Sequence, residues 1–63
     1  MNFYENYRQM YKAATMEKRI ESKKHWIKCH ENNLKSRRQD LIIFSGQILA
    51  MIAIVDNEEN ERI

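Results

Sequence analysis

The sequence predicts an all-α protein, a helical hairpin that assembles into an oligomeric helical bundle. Three observations point there. The chain has no proline and a single glycine among its 63 residues, so it lacks the punctuation that sheets and long loops require. Its apolar residues recur at intervals of three, four and seven, the spacing of one side of a helix. Leu41–Val55 is an apolar run interrupted only by Ser45, Gly46 and Gln47, with Asp40 and Asp56 closing it. A helix apolar on every side needs more cover than a chain this short can provide, because small domains rarely gain more than about 3–5 kcal/mol from their own core.

Asn2 and Glu5 have the spacing of a capping box, so a first helix is expected to begin near Phe3. Phe3, Tyr7, Met10, Tyr11 and Ala14 follow on one side, and from Ile20 the spacing becomes sevenfold through Ile27, Leu34, Leu41, Ile48 and Val55. At 100° per residue these two stripes lie on opposite sides of a straight helix. With no glycine or proline near Thr15, the expectation is one long helix that meets different partners along its length.

The turn is expected at Glu31-Asn32-Asn33, the most turn-like stretch inside the chain. Ser36 and Gln39 offer a second capping box ahead of the apolar run. The expected layout is one small domain over 1–63: a first helix of about 3–31, a second of about 37–56 and an acidic tail of 57–63. A single long helix in a coiled-coil-like oligomer is the alternative, since the heptad spacing runs through the expected turn.

Gly46, Ala50 and Ala53 leave room on one side of the second helix for a close helix crossing. The expected oligomer core is Ile20, Ile27, Leu34, Leu41, Phe44, Ile48, Leu49, Ile52 and Val55, in a homodimer or tetramer. Phe3, Tyr4, Tyr7, Tyr11 and Trp26 form an aromatic set suited to a protein-interaction surface, since tyrosine offers apolar area and a hydroxyl that tolerates water.

The charges are segregated. Lys18, Arg19, Lys23, Lys24, Lys28, Lys35, Arg37 and Arg38 oppose only Glu21 and Glu31, a local balance of +6 that the formal total of +2 conceals. The tail reverses this with Asp56, Glu58, Glu59 and Glu61 against Arg62. Such a basic surface attracts phosphate backbones, an acidic protein or anionic lipid, or simply keeps an apolar protein in solution.

Chemistry-bearing residues are few. His25 and Cys29 share a helix side, but one chain supplies too few ligands for zinc, so no metal and no cofactor is expected. His30 is expected to touch Trp26 one turn earlier. Ser45 has no histidine within reach along its own helix, and one glycine cannot build a phosphate loop, so no enzymatic activity is expected. A single cysteine makes no internal disulfide, and with no basic-then-apolar stretch at Asn2-Phe3-Tyr4-Glu5 a cytoplasmic location is the expectation. The inner face of the cytoplasmic membrane is the alternative location.

The function expected is that of a small adaptor or regulator that binds or inhibits a larger protein and self-associates through its second helix. Its size and its Asn- and Lys-rich composition resemble bacteriophage and plasmid accessory proteins. A dimeric nucleic-acid binder using residues 18–38 and a membrane-associated protein inserted through residues 41–55 are the alternatives. The apolar run falls short of the roughly 20 residues a span needs.

Overall fold

The computed structural model describes residues 3–60, which form three α-helices: α1 (Phe3–Ala13), α2 (Met16–Ser36) and α3 (Gln39–Asn60). The fold is all-α, a compact three-helix bundle. The two-helix layout and the single long helix are both overturned by breaks at residues 14–15 and 37–38. The Asn2 half of the first capping box lies outside the described residues.

The first break needs neither glycine nor proline, because Thr15 supplies the cap. Thr15 is extended (φ −69°, ψ 164°), and its hydroxyl oxygen accepts from the Lys18 N–H at 3.3 Å. Such a cap satisfies one of the orphan donors at a helix start and contributes about 1 kcal/mol. Breaking here resolves the conflict between the two stripes: α1 turns its aromatic side inward independently of α2.

The second break falls past the expected turn. Asn32 and Asn33 are helical, and α2 runs on to Ser36. Arg37 then adopts the left-handed conformation (φ 55°, ψ 36°). Its N–H donates to the Leu34 carbonyl at 3.2 Å, and the Arg38 N–H donates to Asn33 at 3.3 Å. This pair of bonds is a Schellman motif, with arginine in the position where glycine is usual. The expected Ser36–Gln39 box does not form, since Ser36 closes α2 and α3 opens at Gln39, with Asp40 in its first turn.

α2 and α3 are antiparallel. Side chains at 19, 23 and 30 of α2 meet those at 59, 56 and 45 of α3, and the Asn33 amide donates to the Leu41 carbonyl, one number rising as the other falls. α3 also outlasts its expected end: residues 57–60, assigned to the acidic tail, are helical. The core consists of Tyr11 from α1 with Ile48, Met51, Ile52 and Val55 from α3, and Tyr4, Tyr7 and Trp26 pack against it. Ile48, Ile52 and Val55, expected at a subunit interface, are thus buried within the chain itself.

Candidate interaction surface

Two polar sites tie the helices together, and they determine which residues remain for other work. The first is built around Arg19. Expected on the basic surface, this residue is instead 4% exposed. Its Nε donates to the Tyr11 carbonyl at 3.1 Å and its Nη2 to the Lys12 carbonyl at 2.9 Å, so it caps the carbonyl end of α1. The same guanidinium binds both carboxylate oxygens of Glu59, lies 3.6 Å from Asp56 and stacks 5.0 Å from the centre of the Tyr11 ring. A planar fork with five donors is the one side chain that can satisfy two carbonyls and a carboxylate together.

Asp56 extends this site. It accepts from the Tyr11 hydroxyl at 3.0 Å and pairs with Lys23 at 2.6 Å. Burial first, and the Asp56 hydrogen bond second, raise the Tyr11 pKa well above its ordinary value near 10. The Arg19 pKa is raised as well, chiefly through its hydrogen bonds to Glu59. The acidic end of the chain therefore closes the bundle, at least as far as Glu59.

The second site is a polar seam in mid-hairpin. Ser45, on the apolar helix, is 1% exposed. Its hydroxyl lies 2.9 Å from the Leu41 carbonyl and accepts from the Asn33 amide at 3.2 Å. His30 Nδ1 lies 2.6 Å from the same oxygen. The Ser45 hydroxyl carries one proton and lies within reach of the Leu41 and Ile42 carbonyls and of His30 Nδ1, so the His30 tautomer sets which member of the 2.6 Å pair donates. The expected His30–Trp26 contact is replaced by this bond, and it is His25 that packs edge-on to Trp26, at 5.5 Å between ring centres. A sequence scan along one helix misses the His30–Ser45 pair because its members lie on different helices.

His25 Nε2 and Cys29 Sγ are 3.6 Å apart on α2, as their spacing implies. Among the described residues, no group of three His, Cys, Asp or Glu side chains converges as metal ligands do. No buried side-chain nitrogen or oxygen among them lacks a hydrogen-bond partner.

The aromatic set splits between core and surface. Tyr11 is buried, and Tyr4, Tyr7 and Trp26 are half-buried against the core. The Trp26 indole N–H donates to the Tyr7 hydroxyl at 2.8 Å. Phe3, Tyr7, Trp26 and Phe44 make ring contacts at 5.4–6.5 Å between centres. Phe3 alone of the five expected surface residues stays more than half exposed.

The basic surface is reduced in the same way. Arg19 is buried, Lys23 is paired with Asp56, and Lys18 lies 3.7 Å from Glu21. Lys24, Lys28, Lys35, Arg37 and Arg38 are exposed.

Two apolar stripes remain uncovered. On α2, Ile20, Ile27 and Leu34 are each about half exposed. On α3, Ile43 and Ile54 are more than half exposed, with Ala50 exposed between them. α3 is long and apolar enough over Gln39–Glu59 to cross a membrane. Comparison of the chain with protein families, curated proteins and solved structures finds no match.

Proposed function

We propose that this chain is a small non-enzymatic adaptor or regulator that self-associates and acts by binding or inhibiting a larger protein. One observation carries the reading. With its own core complete, the bundle still leaves apolar side chains exposed along the outer side of α3, at Ile43, Ala50 and Ile54, with Gln47 the one polar residue among them. Exposed Phe3 and partly exposed Phe44 continue the row at one end, their rings 5.4 Å apart. Scattered surface leucines and isoleucines are ordinary, but a stripe at helical spacing joined to an aromatic pair is the form of a helix-docking surface. The surface thus differs from the Tyr-rich stripe, whose tyrosines are committed to the bundle.

The test is affinity capture with the tagged chain against Ile43→Asp and Ile54→Asp, both at exposed positions and so expected to remain helical. A protein held by the wild type and released by both substitutions is the expected result. Equal capture by all three would overturn the assignment of this surface.

A second reading is membrane association, favoured by the length and apolar character of α3. It requires α3 to leave Arg19 and Lys23, stripping partners from two cations. Flotation with anionic vesicles separates the readings: the adaptor stays with the soluble fraction, and a membrane protein rises with the lipid.

A further inference from the structure

The stripe on α2 belongs to a second surface, distinct from the outer side of α3. Trp26 faces α1 and α3, and Ile27 lies 100° further round the helix. His30 shares the side of Ile27 and Leu34, being three residues after one and four before the other. On α3, Ile42, Gly46, Leu49 and Ala53 share a side by the same spacing. The two sides adjoin: a Cβ on Gly46 would stand 3.6 Å from His30 Cε1. The hairpin therefore presents one apolar face built from both helices, opposite the face that α1 covers. Ile42 and Leu49 are only partly buried there, and Ala53 is exposed.

From this face we infer a specific occupant: a second copy of the chain, related by a two-fold axis that passes near Ile27 at right angles to the helices. The inference rests on the self-association in the proposed function and specifies its geometry. The face is complementary to itself in this orientation. Antiparallel pairing of α2 with its copy sets Ile20 opposite Leu34 and Ile27 opposite Ile27. On α3 the register that sets Lys23 beside Asp56 and His30 beside Ser45 puts Leu49 close to the level of Ile27, so the same axis brings Leu49 of one copy near Leu49 of the other, with the small Gly46 and Ala53 on either side.

Charge completes the match. Lys24 and Glu31 stand seven residues apart on the outer flank of the stripe, each four residues after an isoleucine. Both are exposed, and neither takes part in an ion pair among the described residues. The same two-fold brings Lys24 of each copy to Glu31 of the other, twice per dimer. The heptad step from Ile20 to Leu34 gives a stripe about 21 Å long. Across two helices about 10 Å apart, the projected footprint is on the order of 400 Å². That is about half the roughly 800 Å² per partner of a standard specific interface. A weak, reversible dimer is therefore expected, rather than a permanent one.

The test is sedimentation equilibrium of the whole chain across a wide concentration range, with circular dichroism to confirm that each variant is helical. Wild type should be a reversible dimer, and Ile27→Asp, at a half-exposed position, a helical monomer. Lys24→Glu or Glu31→Lys alone should weaken the dimer about ten-fold, given two exposed ion pairs reversed in each. The double variant Lys24→Glu/Glu31→Lys should return to wild-type affinity, because the antiparallel axis pairs the two positions. A wild-type monomer at every concentration overturns both this inference and the self-association on which it rests. A dimer that ignores Ile27→Asp, or that the charge swap fails to restore, overturns the inference alone.

Discussion

Arg19→Met is the substitution that most directly tests how the bundle is held. It keeps a flexible apolar stem of similar reach and removes every donor. The Tyr11 carbonyl retains the Ala14 N–H at 3.1 Å, whereas the hydrogen bond from Arg19 to the Lys12 carbonyl at 2.9 Å is lost outright. Glu59 loses a bidentate partner, but its side chain is 45% exposed and water replaces part of that loss. Breaking a fully buried ion pair costs about 3–5 kcal/mol. Discounting for the exposed carboxylate and for the apolar gain of methionine leaves an expected loss of about 2–3 kcal/mol. A chain of this size has a total stability on the order of 3–9 kcal/mol, so the variant should lose a large fraction of it, equivalent to roughly 10–20 °C in melting temperature. Urea unfolding monitored by Trp26 fluorescence reports it well, since Trp26 packs against Tyr7 of α1. The control is Lys28→Met, at an exposed position, where a change within about 0.5 kcal/mol is expected. If the two variants unfold at the same urea concentration, Arg19 is not the clamp described here.

Arg37→Gly should stabilise the fold by about 0.5–1 kcal/mol, because glycine adopts the left-handed conformation without the Cβ penalty; a lower urea midpoint for the variant would contradict this. Gly46→Ala should have opposite effects on two equilibria. The new methyl meets only His30 Cε1 at an ordinary 3.6 Å, so helix propensity should stabilise the monomer by up to about 1 kcal/mol, while the crowded crossing weakens self-association. Unfolding at low concentration and sedimentation at high concentration check the two halves. The raised Tyr11 pKa predicts an alkaline effect. The folded state holds a proton that the unfolded chain releases near pH 10, so the stabilisation is complete below that pH and falls as pH climbs toward the folded-state value. The loss of stability above pH 10 should therefore be steeper in wild type than in Tyr11→Phe; parallel curves would show that the Tyr11 proton is not held by the fold.

Much of the helical content was legible from local signals. A chain without proline and with an apolar residue every three or four positions has little alternative, and α3 was visible as the run Leu41–Val55. The clash between the aromatic stripe and the Ile20–Ile27 stripe was also legible, but its resolution was not. Thr15 is an ordinary threonine until the aromatic side of α1 must turn toward α3, and only then does its capping geometry become the cheaper solution. The second turn lies beyond the Glu31-Asn32-Asn33 stretch for a similar reason. Asn32 and Asn33 favour turns in isolation, yet Asn33 supplies the Leu41 carbonyl and Ser45 with donors when it stays helical. Arg37 accepts an unfavourable backbone conformation one turn later.

The sequence by itself determined composition-driven properties: helices throughout, more apolar surface than one small core absorbs, and a basic middle set against acidic residues near the end. Those follow from periodicity and from counting, which need no knowledge of what lies beside what. The tertiary structure decided how individual residues are used. It moved Arg19 from the surface to the centre of a three-helix clamp, drew Asp56 and Glu59 out of a presumed tail, and joined His30 to Ser45 across the hairpin. Each of these depends on long-range pairs in which a polar group loses water and gains a specific partner, and the spacing within a single helix carries no record of such a partner.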